Sequence, residues 1–312
     1  MSAPELAIVL VTYNSADWIG RCLRALPAAL DGRCAQVVVV DNASADATAD
    51  VVERDHPQTV LIRNAHNAGF AAAVNAGARA VASDWVLLLN PDTEARPGSL
   101  RNLVDFAERN PGHGLYGGRT LRPDGSLEPT SCAGLPSLWS TACFALGLST
   151  AFRGSSVFDP ESLGRWQRDT VREVGSVTGC LLLVDRATWD RLGGLDERYF
   201  VYGEDVDLSA RARRLGLRPV ITPDAEVVHG VGESSPGSEG SMLLALAGKV
   251  TYSRTHFPPV AAALAVGLLR LGVGLRAAGA RLTGKGQGWR VGWRERARWW
   301  NGFPARPQHA AG

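Results

Sequence analysis

Trp85-Val86-Leu87-Leu88-Leu89-Asn90-Pro91-Asp92 is the stretch whose reading decides the fold. Five apolar residues in a row are too few for an ordinary helix. They also lack the alternation of a half-exposed strand, so the run reads as a strand buried on both faces. It stops abruptly on Asn-Pro-Asp, which puts a carboxylate just beyond a strand's carboxyl end. Working outward, Leu6–Val11, Gln36–Val40 and Thr59–Ile62 repeat the design, each short, apolar and bounded by polar or turn residues. Between them lie helical patterns. Trp18, Ile19, Cys22, Leu23 and Leu26 share one face behind a cap at Asn14 or Ser15, and Asp46–Arg54 and Ala68–Val81 follow the second and third strands. Strand–helix alternation predicts an α/β fold with a mostly parallel sheet flanked by helices. Ligands of such sheets collect at the carboxyl ends of the strands. Those ends read Thr12-Tyr13-Asn14, Asp41-Asn42-Ala43-Ser44, Asn64 and Asn90-Pro91-Asp92, all small and polar.

The second half is less regular. Pro123-Asp124-Gly125 signals a hairpin, and Ser126–Arg172 reads as loops and short helices. Val174–Val184 is expected as a strand and Arg186–Leu192 as a helix stopped by Gly193. Asp205–Leu215 follows as a helix, Arg218–Ile221 and Glu226–Val228 as strands, and Ser234–Ser241 as a loop.

Three places could carry chemistry. Asp92 can hold a hard divalent cation, or can simply cap the helix expected over Pro97–Arg109. Gly203-Glu204-Asp205-Val206-Asp207 sets three carboxylates at a helix start, where negative charge is favoured anyway. The aromatic run before them, Tyr199-Phe200-Val201-Tyr202, would partly enclose them, and burial raises a carboxylate's pKa toward a value useful in a general base. Asp207, two residues beyond Asp205, is expected to point away from it. His229 closes a strand, where a neutral imidazole can be either structural or a metal ligand. Asp41 can accept hydrogen bonds from a ribose or base, or form an Asx-turn. No GxGxxG and no Walker A sequence is present, so dinucleotide redox and P-loop phosphoryl transfer lack their signatures.

In order and spacing these segments resemble the inverting glycosyltransferases of family 2, which have a GT-A fold. The resemblance rests on Val11-Thr12-Tyr13-Asn14, Val40-Asp41-Asn42-Ala43-Ser44, Asn67-Ala68-Gly69-Phe70 with Asn75, Leu89-Asn90-Pro91-Asp92, Thr178-Gly179, and Gly194-Leu195-Asp196-Glu197 running into Glu204-Asp205. It extends over residues 6 to 256. The Asp196-Glu197-Arg198-Tyr199-Phe200 segment and the Arg122–Ser126 turn are similar to the rhamnosyltransferase-like branch.

The resemblance implies roles. Thr12, Tyr13, Asn14, Asp41, Asn67, Gly69, Asn75 and Asn90 would line the donor nucleotide site. Asp92 and His229 would hold Mg²⁺ or Mn²⁺, with Asn90 standing where the family's DxD motif has its first aspartate. Asp205 would be the catalytic base, helped by Glu204, and Thr178, Gly179 and Glu204 would meet the acceptor. The implied reaction is inverting transfer of a sugar from a nucleoside-diphosphate donor to a hydroxyl of a glycan or polyprenyl-diphosphate-linked glycan. Deoxythymidine-diphosphate rhamnose is the expected donor, with UDP-galactofuranose or a UDP-hexose as alternatives. Rival readings are a sugar nucleotidyltransferase, which would need a Gly-rich basic loop absent from Thr12–Gly20, and a non-catalytic nucleotide- or glycan-binding module, which would lack Asp92 or Asp205.

The 312-residue chain has a net charge of only +2, which gives no argument for nucleic acid. Its basic residues gather at the end: from Arg270 onward Glu295 is the single acid, and the preceding body is net acidic. In that tail Leu264, Leu268, Leu271, Leu275 and Leu282 form one helical stripe, and Trp289, Trp293, Trp299 and Trp300 alternate with arginines. An amphipathic basic helix with interfacial tryptophans suits peripheral contact with an anionic membrane. The apolar run Val260–Leu275, broken by Arg270, reads as too short to span a bilayer. Five scattered cysteines without a CxxC pair fit reduced thiols. No signal peptide is evident, so a cytoplasmic enzyme associated with the inner face of the cell membrane is expected. The domain reading is a catalytic domain over 1–256, with a nucleotide-sugar half to about 118 and an acceptor half after it, and a basic helical tail over 257–312.

Overall fold

A computed structural model describes residues 4–230 and 238–304. The first part of the expected loop at 234–241, the segment just after Gly230, and Arg306 lie outside them. The chain forms two compact units: residues 1–135, 166–195 and 205–234 make the first, and residues 136–165, 196–204 and 235–312 the second. The second unit thus starts upstream of residue 257 and draws in two earlier segments.

The first unit is built on a nine-stranded sheet in the order β3-β2-β1-β4-β10-β6-β11-β5, with β8 beside β11. Its first strands are β1 (Leu6–Thr12), β2 (Ala35–Asp41), β3 (Val60–Arg63) and β4 (Trp85–Leu89), all parallel. They alternate with α1 (Ala16–Leu30), α2 (Thr48–Asp55) and α3 (Phe70–Ala80). After β4 come β5 (Thr93–Ala95), α4 (Ser99–Arg109), β6 (Leu115–Leu121), β7 (Cys132–Ala133), β8 (Arg172–Glu173), β9 (Ser176–Val177) and β10 (Leu181–Asp185). Then follow α7 (Arg186–Leu192), α8 (Glu204–Arg214) and β11 (Val220–His229). Every residue of β1 is buried, and α1 covers the sheet with Ile19, Cys22, Leu23, Leu26 and Ala29. Of these, Ile19, Leu23 and Leu26 each contribute about 1.5–3 kcal/mol.

Two strand readings change. The run Val174–Val184 splits, because Thr178-Gly179-Cys180 makes a turn, closed by the Leu181 N–H donating to the Thr178 carbonyl. That turn sends β9 to pair with β7 and β10 into the main sheet, antiparallel to β4. Conversely, the strands expected at Arg218–Ile221 and Glu226–Val228 are one strand, β11, which begins at Val220 and has a register shift between Ile221 and Glu226. Pro223 cannot donate to a ladder, so a bulge takes it up. Gly118 of β6 has to be glycine there, since a Cβ would lie 2.1 Å from the Ala225 carbonyl oxygen. The turn expected at 123–125 is present, with Arg122 N–H donating to the Ser126 carbonyl at 2.8 Å.

The second unit is helical: α5 (Leu138–Ala145), α6 (Leu148–Ala151), α9 (Ser238–His256), α10 (Pro259–Thr283) and α11 (Gln287–Arg294). Ser238–Ser241, expected in a loop, forms the first turn of α9. Arg270 does not interrupt α10. Its guanidinium folds back to donate to the Trp300 carbonyl at 2.8 Å and lies 4.7 Å from the Trp300 ring. At 25 residues, α10 is long and apolar enough to cross a membrane by length and composition, which corrects the shorter reading. It buries its small residues, Ala262, Ala265, Gly272, Ala277 and Ala280 among them, and leaves Leu264, Leu271, Leu275 and Leu282 outside. The tail tryptophans do the reverse of the expectation. Trp299 is fully buried with Nε1 donating to the Gly292 carbonyl, and Trp289, Trp293 and Trp300 pack against the same core as Leu246, Val266 and Val273.

Gly272 lets α10 approach α5, because a Cβ there would sit 2.8 Å from a Phe144 ring carbon and 2.9 Å from Ala145 Cα. Gly272→Val is expected to lower the stability of the second unit by about 1–3 kcal/mol, read by chemical denaturation.

Candidate active site

Strand directions decide which residues meet. β11 runs parallel to β6, β6 antiparallel to β10, and β10 antiparallel to β4. The carboxyl ends of β1, β2, β4 and β11 therefore share one edge with the amino end of β10. Thr12, Asp41, Asn90, Asp92 and His229 all lie on that edge, as do Thr178 and Gly179.

At its centre His229 Nε2 lies 3.2 Å from Asp92 Oδ1 and 3.3 Å from Asn90 Nδ2. The pair is held by backbone: His229 is in register with Thr93 of β5, and the Gly230 N–H donates to the Asp92 carbonyl at 2.9 Å. The Asp92 side chain is almost wholly buried and that of His229 mostly so. Two atoms bound at right angles to one octahedral ion, each about 2.1 Å from it, are about 3 Å apart. The imidazole nitrogen and carboxylate oxygen thus have the separation of neighbouring ligands. One nitrogen and one oxygen donor also suit a hard or borderline divalent cation. Among the described residues no third His, Cys, Asp or Glu joins them.

Asp205 stands in the first turn of α8. Its carboxylate accepts from the Gly179 N–H at 3.1 Å and from the Val206 N–H at 2.8 Å. Removal from water raises its pKa above the ordinary aspartate value, and the two N–H donors offset only part of that. Cys180, next to Gly179, accepts through its carbonyl from the Asn90 N–H at 3.3 Å. A short backbone path thereby joins the Asp205 carboxylate to the Asn90–Asp92–His229 cluster. A Cβ at Gly179 would meet the Phe70 ring at an ordinary 3.4 Å. What Gly179 contributes is its N–H. Thr178 turns its hydroxyl and its N–H to the Ser131 carbonyl, both at 3.1 Å. Burial pushes the Cys180 thiol up to about 12 and the Cys22 thiol higher still, so neither thiol beside Asn90 is a nucleophile at neutral pH.

The other two carboxylates of the trio behave differently. Asp207 is fully buried rather than pointing to solvent, and pairs with Arg211 at 2.7 Å one helical turn on. Arg211 in turn donates to the Leu192 and Gly194 carbonyls, which neutralises Asp207 and fastens α8 to the Gly193-Gly194 turn. Glu204 is 5% exposed and belongs to the second unit.

On the far side of the edge, Thr12 Oγ1 donates to Asp41 Oδ1 at 2.9 Å, and Ser44 donates to Asp41 through both its N–H and its hydroxyl. The Asx-type turn is thus present. It still leaves acceptor capacity on a carboxylate with about four lone-pair sites. Asn14, in a left-handed conformation (φ 53°), accepts from the Ala45 N–H through Oδ1 and donates its own N–H to Ser44 Oγ. Tyr13 is 41% exposed beside them. Asn67 Oδ1 accepts from the Gly69 N–H, shaping the entry to α3. Asn42, given no role of its own above, ties Asn64, Ala68 and Gly69 together at the end of β2. No pattern within one segment could have signalled that. Asn75 is placed elsewhere than expected. It is buried in α3, with Nδ2 donating to the Leu195 carbonyl at 2.8 Å and Oδ1 accepting from the Leu195 N–H at 2.9 Å. Both ends of the amide clamp the loop after α7, which gives Asn75 a structural task in this position.

Comparisons with known proteins fit this geometry. Residues 7–149 match Glycosyl transferase family 2. The chain is 35% identical over 269 residues to N-acetylglucosaminyl-diphospho-decaprenol L-rhamnosyltransferase of Mycobacterium tuberculosis, covering 79% of this chain and 82% of that one. It is 27% identical over 233 residues to rhamnosyltransferase WbbL of Escherichia coli, covering 71% and 82% respectively. Among solved structures, mannosyltransferase PcManGT from Pyrobaculum calidifontis, in complex with GDP-Man and Mn²⁺, superposes with a TM-score of 0.56 at 19% identity. That match covers 95% of this chain and 81% of that one, and is a likeness of fold.

Asn75→Ala would strand a buried N–H and a buried carbonyl. Thermal or urea denaturation is expected to show a loss of about 2–4 kcal/mol, with affinity for a nucleoside diphosphate unchanged in the folded fraction.

Proposed function

The chain belongs to glycosyl transferase family 2, and from that premise we propose that it inverts the anomeric centre of a nucleoside-diphosphate sugar while passing the sugar to a lipid-linked glycan. The observation that carries the reading is Asp205, a carboxylate of raised pKa fixed by two N–H donors and joined through Gly179, Cys180 and Asn90 to the Asp92–His229 pair. The mycobacterial relative, matched over most of its length, favours rhamnose from deoxythymidine-diphosphate rhamnose and a polyprenyl-diphosphate-linked N-acetylglucosamine acceptor.

Asp205 takes the proton of the acceptor hydroxyl as its oxygen attacks the anomeric carbon. The bond from that carbon to the diphosphate breaks on the opposite face, and the electron pair leaves with the diphosphate. A carboxylate whose pKa is raised toward neutrality holds the proton more firmly once taken, which suits a general base. Asp92 and His229 would hold a Mg²⁺ or Mn²⁺ ion, which when bound supplies positive charge for the departing diphosphate. Asn90 orients the imidazole. Asp41, fixed by Thr12 and Ser44, offers its spare acceptor sites to the donor nucleoside, with Asn14 and Tyr13 alongside. Thr178 and Gly179 shape the acceptor side, and Glu204 assists Asp205 from the preceding residue. The enzyme is read as working at the cytoplasmic surface of an anionic membrane, where a lipid-linked acceptor resides, with the helical second unit making the contact.

The deciding experiment titrates purified protein with deoxythymidine-diphosphate rhamnose, UDP-galactofuranose and UDP-hexoses, with Mg²⁺, with Mn²⁺ and with chelator. Metal-dependent binding and slow donor hydrolysis, strongest for the rhamnosyl donor, are expected. Indifference to every nucleotide sugar under all conditions would overturn the proposal. Asp205→Asn is expected to keep donor affinity within a few-fold and to lose transfer by at least about 10²–10³-fold.

The pH dependence carries a sign. Asp205 is active as the ionised form and its pKa is raised, so kcat/KM should climb with pH through an acid limb lying above the ordinary aspartate value of about 3.9. An acid limb at or below that value would assign the base to another group.

A further inference from the structure

The second unit holds a cavity of about 420 Å³ at the carboxyl end of α10, lined by Arg281, Gln287, Arg290, Trp293, Arg294 and Arg296. A volume in that range is ordinary for a small-molecule site and far exceeds one water or ion. Its charge is barely compensated. Glu295 is the only acidic residue in the sequence beyond Glu239, and it pairs with Arg294 at 3.1 Å. Arg290 donates to the neutral Gln287 amide, and Arg296 donates to the Trp293 carbonyl with its guanidinium 5.5 Å from the Trp293 ring. Among the described residues no carboxylate pairs with Arg281, Arg290 or Arg296. Guanidinium groups converging on one space without carboxylates make a site for a phosphate-bearing anion.

The cavity adjoins an apolar surface. Leu282, the residue after Arg281, is 89% exposed, and it ends the stripe that runs back through Leu275, Leu271 and Leu264, each about half exposed. A run of bare leucines along one helix, ending at a cationic cavity, matches the two layers of a bilayer surface. The opposite face of α10 is already buried on the Ala145, Phe144 and Val250 side of the unit, and its small residues fit that packing.

Resting on the membrane contact proposed above, we propose that the cavity between α10 and α11 takes the phosphate of an anionic phospholipid headgroup while the leucine stripe of α10 lies in the apolar layer. α10 then lies along the bilayer surface and does not cross it. The occupant is a lipid, not a free phosphate, because the same helix turn presents the arginine and the bare leucine together.

The test floats the full chain with phosphatidylcholine vesicles, with and without phosphatidylglycerol. The protein is expected to float with the anionic vesicles and to stay in solution with the neutral ones. Arg281→Ala with Arg290→Ala should weaken partitioning about fivefold for each arginine removed. Arg79→Ala with Arg109→Ala, which removes the same charge from the first unit, should leave it unchanged. Leu271→Ser with Leu275→Ser should abolish flotation. Equal flotation on neutral vesicles, equal loss from both arginine pairs, an indifferent leucine variant, or full displacement by inorganic pyrophosphate would each overturn the proposal. Donor hydrolysis in vesicle-free solution separates the two readings: it should be unchanged in the cavity variants. A protein that floats as expected but turns over no donor would refute the transferase proposal alone.

Discussion

The antiparallel pairing of Leu181 with Leu89 is the contact on which the site depends. A parallel sheet covered on both faces can expose polar groups only at its edges, and a run of parallel strands offers only carboxyl ends there. Inserting β10 the other way round beside β4 brings an amino end to the same edge. The turn at Thr178-Gly179-Cys180 then supplies backbone groups where Asn90-Pro91-Asp92 begins. One of them receives the Asn90 N–H, and another donates to Asp205. Without that reversal Asp205 would lose the Gly179 N–H it is held against, and the proposed base and the proposed metal ligands would have no common frame.

Charge is divided along the same lines. Asp205 and Asp207 are two residues apart on α8 yet have opposite surroundings. Asp207 is buried against Arg211, an arrangement in which losing either partner would leave an unpaired charge inside. Among the described residues Asp205 has no cation within ion-pair distance, and burial raises its proton affinity by more than its two N–H donors lower it. An arginine beside one carboxylate and none beside the other separates a fastening, Asp207, from the proposed base, Asp205. The Asp92–His229 pair follows a third pattern, in which two ligand-type atoms face each other at neighbouring-ligand distance.

In the second unit α10 uses small residues for close contact, with Gly272 against Phe144 and Ala145, buries Val266, Leu269 and Val273 beside them, and leaves Leu264, Leu271, Leu275 and Leu282 bare. The arginines nearest the core are absorbed by aromatic faces: Arg276 lies 4.0 Å from the Phe144 ring and Arg270 lies 4.7 Å from that of Trp300. Around the cavity the compensation is thinner: Arg294 pairs with Glu295 and Arg296 lies over the Trp293 ring, while Arg281 and Arg290 have no carboxylate partner among the described residues. Tryptophans that alternate with arginine in sequence thus serve as internal packing and as cation-bearing surfaces, while the apolar outer surface is left to leucine.

The sequence by itself determined the elements whose physics is local. The buried strands could be read from short apolar runs because such runs admit little else, and β4 begins and ends where Trp85–Leu89 predicts. The glycosyltransferase class was legible because Asp41, Asn90, Asp92, Asp205 and His229 sit at element ends, where the pattern changes from apolar to polar. Tertiary structure alone decided what each polar group faces. Asn75 reads as a ligand until Leu195, 120 positions on, takes both ends of its amide. Asp207 reads only as pointing away from Asp205 until Arg211, held by two carbonyls, is seen to pair with it. Val174–Val184 reads as one strand until its halves join different sheets. Periodicity marked the leucine stripe of α10 correctly but could not tell which side is covered, because a helix with small residues on one face and leucines on the other can pack by either. That choice belongs to the partner helices, and only the folded chain shows them.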